Sequence, residues 1–211
     1  MRCLIVDYGH GGMIDGVYQT PGGKQYHFTD QDPVVDIYEG VTNRMTAAAL
    51  INLALADGVP VWDCVANKRW FKPVIWTDLE QRDISLVERA RHANKHRLGL
   101  LVSCHSNAIG SSIYGASQSP RGVEVYTSRG HTTADDVAET LAESFRVNLS
   151  ELRWRSIQEA GFYILRKTTM PAVLGEVGFF TNIDDARFLL DPANHAKIGQ
   201  AYWNGVRQWL V

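Results

Sequence analysis

The chain has 211 residues, 45% of them hydrophobic and 21% charged, and carries a net charge of −2. That length suits one domain with a well-covered core, and the composition is that of a globular protein. The charge balance excludes a basic nucleic-acid surface and a polybasic membrane anchor, and no apolar run approaches the ~20 residues of a membrane span.

Taken in chain order, the run Cys3-Leu4-Ile5-Val6 reads as a short buried strand. It opens the chain directly, with no export leader visible ahead of it. It runs on into Asp7-Tyr8-Gly9-His10, so the histidine falls just past the strand. A long polar, glycine-rich stretch over residues 11–38 predicts an extended flap. A helix follows from Glu39, with Ala47, Leu50, Ile51, Ala54 and Leu55 on one face and Gly58 as its stop. "VPVWDC" is the second strand, and Ser85 and Glu88 form a capping box for a helix running to about Arg97. "LGLLVSCH", ending at His105, is a third buried strand, and "GVEVYTS" a fourth. Thr133 and Asp136 cap a helix whose Val137, Leu141 and Phe145 share a face. "FYILRK" and "PAVLGEVGF" read as two more strands, separated from that helix by a polar connection, "ELRWRSIQEAG". A last helix starts near Pro192 and continues through Ile198, Ala201, Val206 and Trp209. The alternation predicts a single α/β domain over residues 1–211: a twisted, mostly parallel sheet with helices on both faces.

Cys3, Cys64 and Cys104 fall in three separate apolar runs without a C-x-x-C pair, which predicts reduced thiols. His27, His92, His96, His131 and His195 lie among polar residues and read as surface residues.

Three strands end in a residue able to bind a metal or move a proton: His10, His105 and Glu176. In a parallel sheet these ends share one edge, where open α/β sheets keep their ligand sites. Glu39, in the first turn of the helix after the flap, approaches that edge from above, although helix N-termini also favour acids for their dipole. Two imidazoles and a carboxylate suit catalytic zinc, and a further carboxylate can take a proton from water. Glu176 stands among Leu174, Gly175, Val177 and Phe179, where a carboxylate is costly without a partner.

The segments "VDYGHGG", "EGVTN", "SLVERARHAN", "LLVSCHSNA", "RGVEVYTS" and "FYILRKTTMPAVLGEVGFFTN" resemble, in this order, a zinc-dependent N-acetylmuramoyl-L-alanine amidase of the Amidase_3 type. The resemblance implies one zinc ion on His10, Glu39 and His105, with Glu176 catalytic. It implies hydrolysis of the peptidoglycan amide between the lactyl group and L-alanine, by zinc-activated water. Tyr8 stands where the family usually has proline, and the gap from His10 to Glu39 is longer than in many relatives. Asp36 competes with Glu39 as ligand, but Asn43 follows Glu39 in the family's E-x-x-x-N spacing. The interval from Val137 to Phe162 leaves little room for the helical plug some relatives carry, so an open site is expected.

Asn107 and Arg166 are the candidate substrate contacts, with Tyr18, Tyr26 and Phe28 of the flap as further packing surfaces. The alternatives are a zinc carboxypeptidase acting on stem peptides and a non-catalytic peptidoglycan-binding module. A cysteine hydrolase on Cys104 is disfavoured, since its strand neighbour His105 points to the opposite face. The resulting expectation is a monomeric endolysin or autolysin, without nucleic-acid or membrane partners, made in a host cytoplasm and acting at the periplasm or wall after release.

Overall fold

The computed structural model describes residues 2–20, 22–109 and 120–211; Pro21, within the predicted flap, lies outside them. In chain order the elements are β1 (Leu4–Tyr8), β2 (Met13–Ile14), β3 (Val17–Tyr18), β4 (Gln25–Phe28), β5 (Val35–Tyr38), α1 (Glu39–Ala56), β6 (Val61–Asp63) and β7 (Lys68–Trp70). Then follow α2 (Leu86–Ala93), β8 (Leu100–Asn107), β9 (Val123–Thr127), α3 (Thr133–Asn148), β10 (Trp154–Glu159), α4 (Tyr163–Arg166), β11 (Ala172–Phe179), α5 (Ile183–Leu190) and α6 (Pro192–Val206).

Seven strands make one sheet in the order β10-β9-β11-β8-β1-β6-β7. The ladders β6–β1, β1–β8, β8–β11 and β9–β10 are parallel. The ladders β9–β11 and β6–β7 are antiparallel. The fold is thus the expected mostly parallel α/β sheet, with β9 and β10 reversed against its centre. β1 and β8 are apolar through their length because both faces of a central parallel strand are covered.

Successive residues of β1 point to the two helical layers. Tyr8 faces α1, where the Arg44 guanidinium lies 5.1 Å above its ring. Asp7 faces the other layer and receives two bonds from Arg89 of α2, at 2.8 and 3.0 Å, and one from the Ser103 hydroxyl at 2.5 Å. On the α1 side, α6 packs between α1 and α3. There Phe145 and Tyr202 meet edge to face at 4.9 Å, a geometry that adds about 1 kcal/mol to the burial of the two rings.

Several local expectations need correction. "FYILRK" forms the short helix α4, not a strand, and the polar connection before it contains strand β10. β10 is an edge strand with one ladder partner, so it needs little apolar content. The flap folds as two small hairpins, β2–β3 and β4–β5. The α3 cap is Thr132 with Asp135, one residue earlier than read, and α2 stops at Ala93. His92 and His195 are buried, not exposed: the His92 ring lies 2.9 Å from the Cys64 carbonyl and that of His195 lies 3.2 Å from the Thr46 hydroxyl. His96 is partly covered by a ring contact with Trp62, while His27 and His131 are exposed. The cysteines are free thiols; Cys64 and Cys104 are buried and Cys3 half-buried.

Candidate metal centre

The chain leaves β1 through Gly9-His10-Gly11, and His10 takes φ of 66°, the left-handed region in which non-glycine residues are uncommon. Tertiary bonds hold it there. The Gly9 carbonyl accepts from the Asn43 amide at 3.1 Å, and the His10 carbonyl from Arg44 at 2.8 Å. Gly9 is required by contact: a Cβ there would stand 1.8 Å from Cε1 of His105. Tyr8 is buried and donates its hydroxyl to Asp63 at 2.8 Å.

Glu39 is the first residue of α1 and is fully buried. Its entry angle is fixed from the flap, where the Tyr18 hydroxyl accepts the Gly40 N–H at 3.0 Å and donates to the Lys24 carbonyl at 2.9 Å. Oε1 of Glu39 lies 3.0 Å from Nδ1 of His105 and 3.4 Å from Nε2 of His10. One donor atom from each of the three residues falls within 4.8 Å of the others. Donors held ~2.1 Å from a tetrahedral zinc are separated by about 3.4 Å, so the two contacts to Glu39 match such a shell.

The donor chemistry fits as well. Burial holds the His10 imidazole below its ordinary pKa, against the pull of Glu39, and so favours the neutral ring that ligates metals. Burial opposes ionisation of Glu39, yet His10, His105 and Lys24 outweigh it and hold the carboxyl well below its usual range. Its Oε2 is shielded and has no hydrogen bond among the described residues; the Lys24 ammonium stands 3.3 Å away as an ion pair. A buried carboxylate oxygen without a hydrogen bond is what a cation would satisfy.

Glu176 is the ladder neighbour of His105, on the same face of the sheet. Its Oε2 is shielded and unpartnered among the described residues. Burial, and then the charge of Glu39, push its pKa well above the ordinary carboxyl value. A carboxyl tuned upward in this way suits proton transfer near neutral pH.

The strand-end reading overlooked Glu124. It sits at the start of β9, and because that strand runs in reverse, its beginning lies beside Glu176. Four side chains donate to it: Arg155 at 2.7 Å, Asn107 at 2.8 Å, Tyr126 at 2.8 Å and Gln158 at 3.2 Å. Asn107 therefore has a structural partner at this edge. Arg166 is not brought to it: it ends α4, ahead of the amino end of β11, with its guanidinium over Tyr163. Asp36 is also elsewhere, paired with His27 at 2.7 Å. Arg44 and Lys24 were likewise missed, since neither is a metal ligand type.

Among the described residues, no helix is long and apolar enough to cross a membrane. Comparison with known proteins gives relatives along the whole chain. The N-acetylmuramoyl-L-alanine amidase LytC of Bacillus subtilis is 34% identical over 123 residues, covering 57% of this chain and 23% of the relative. The N-acetylmuramoyl-L-alanine amidase CwlM of Bacillus licheniformis is 26% identical over 203 residues, covering 96% of this chain and 66% of the relative. With a cell wall amidase of Bacillus anthracis included, the chain spans between 23% and 66% of these curated relatives. The crystal structure of an N-acetylmuramoyl-L-alanine amidase from Clostridium difficile 630 shares the fold, with a TM-score of 0.73 at 23% identity, covering 99% of this chain and 96% of that one. Since the N-acetylmuramoyl-L-alanine amidase family (Amidase_3) matches residues 4–208, nearly the full chain, this protein belongs to that family.

Proposed function

We propose that residues 1–211 form an amidase catalytic domain that hydrolyses the amide between the lactyl group of N-acetylmuramic acid and L-alanine of the peptidoglycan stem. The observation that carries this reading is the convergence of His10, Glu39 and His105 donors within 4.8 Å, with Glu176 on the next strand, its Oε2 without a hydrogen bond among the described residues. A zinc ion on those three residues would supply Lewis acidity toward the lactyl carbonyl and a more acidic water.

The remaining work belongs to the chain. Glu176, with its raised pKa, takes the proton of the attacking water and returns it to the departing alanine nitrogen. Glu124, on the adjacent strand, keeps a second negative charge near Glu176 and adds to that elevation. Lys24 neutralises part of the carboxylate charge at the site from the flap side. Removing stem peptides from glycan strands weakens the wall, which is the role of an endolysin or autolysin acting as a monomer at the wall.

Mass spectrometry of purified peptidoglycan, incubated with and without a chelator, tests this. Free stem peptides beginning at L-alanine, formed only without the chelator, are expected. Products cut within the stem would replace the reading by a carboxypeptidase. Intact peptidoglycan that retains the protein would replace it by a binding module.

A further inference from the structure

At the edge of the sheet opposite the metal centre, a cavity of about 690 Å³ opens at the amino ends of β1, β6 and β8. Its size is that of sites for small ligands. It is lined by Trp62 and His96, whose rings lie 4.0 Å apart, and by Arg69, Lys95, Arg97 and Leu98. Among the described residues, no carboxylate lines it. None of the three cations forms an ion pair among the described residues; Lys95 donates only to the Asn67 side chain, at 2.8 Å, and Arg69 lies over the Phe71 ring.

Three unpaired cations around one cavity are a notable concentration in a chain of net charge −2. Two further polar atoms are left over: Nε1 of Trp62 and Nε2 of His96 are shielded and have no hydrogen-bond partner among the described residues. Phe71 and Leu98 beside it are each 78% exposed, so the cationic rim carries apolar surface that the fold itself does not cover.

We propose that this cavity is a second glycan-binding site, taking a carboxylated amino sugar, the muramoyl unit whose lactyl carboxylate is set free by amide hydrolysis. Arginine forks and a lysine ammonium suit a carboxylate. The apolar C–H face of a pyranose suits aromatic and leucine side chains. The choice of this sugar rests on the amidase reading, because that reaction produces it. The two sites lie at opposite edges of the sheet, with the run of β8 from Leu100 to His105 between them, roughly 17 Å at about 3.3 Å per residue, so the muramoyl unit held here is not the one at the metal centre. A stripped unit held here keeps the enzyme on wall already cleared of stems while another amide enters the metal centre.

The test is calorimetric titration of the full chain with N-acetylmuramic acid, with N-acetylglucosamine and inorganic phosphate as comparison probes. N-acetylmuramic acid should bind and N-acetylglucosamine should bind at least tenfold more weakly. Arg69→Glu with Lys95→Glu should weaken N-acetylmuramic acid at least tenfold, while hydrolysis of a soluble muramoyl peptide stays unchanged. If the reversed charges unfold the protein, Arg69→Ala with Arg97→Ala serves in their place with the same expectation. Affinity unchanged in the folded variants, equal affinity for the uncharged sugar, or tighter binding of phosphate than of N-acetylmuramic acid would each overturn the proposal. Because binding is read without turnover, a failure of hydrolysis with charge-dependent binding intact would count against the amidase reading alone.

Discussion

Lowering the pH from about 7.5 to about 5 should cost this fold about 2 kcal/mol through one buried imidazole. His195 sits on α6 and is 4% exposed; Nδ1 lies 3.2 Å from the Thr46 hydroxyl, and Nε2 has no hydrogen-bond partner among the described residues. Burial pushes its pKa from 6.5 down to about 4. Between those two values the unfolded chain binds a proton that the folded chain refuses, so stability falls as the pH drops through that window. The whole shift corresponds to about 3 kcal/mol, of which about 2 is expressed by pH 5. With a urea dependence of ~2 kcal/mol per molar, the unfolding midpoint should drop by about 1 M from this residue alone. Other groups titrate over the same range, so the measurement compares wild type with His195→Gln at both pH values. The variant should lack the His195 share of the drop, whatever its own stability at neutral pH. Equal drops in the two proteins would refute the reasoning.

Other outcomes are equally direct. Glu176→Gln should retain bound zinc, measured by elemental analysis, while losing roughly 10²–10⁴-fold in turnover of muramoyl peptides. Gly9→Ala places a methyl 1.8 Å from the His105 ring, and should lower zinc content and activity together. Arg89→Leu strands the Asp7 carboxylate, which is fully buried, and should cost about 3–5 kcal/mol in denaturant unfolding. Lys24→Ala removes the cation 3.3 Å from Glu39, and should alter zinc affinity in a chelator competition more than it alters the unfolding midpoint.

The sequence exposed the centre of the fold because β1, β8 and β11 are central strands, and their polar residues stand out at one end against an apolar background. His10, His105 and Glu176 could therefore be placed on one edge before any coordinates. Periphery was harder. β10 is polar because an edge strand contacts one neighbour, and the two-residue strands of the flap are too short to carry a period. "FYILRK" has strand-like composition, but its Phe162 carbonyl closes a helical turn with Leu165 and Arg166. Glu124 was hidden for a topological reason: a rule that looks at carboxyl ends of strands misses the amino end of a strand that runs in reverse. The buried histidines were hidden for a local one, since polar sequence neighbours say nothing about which helix face an imidazole takes.

Arg44 has a consequence for how this site comes apart. Its guanidinium donates to the carbonyls of His10 and Gly40 through Nη1, at 2.8 and 2.7 Å, and to that of Glu80 through Nε and Nη2, at 2.8 and 2.6 Å. One planar cation thus ties the turn after β1, the start of α1 and the segment ahead of α2. Segments tied to one another in this way open together, so amide exchange in the three should report one common protection free energy. A lysine could not span three carbonyls with a fixed fork. His10 and Glu39 are then lost together, and not one ligand at a time.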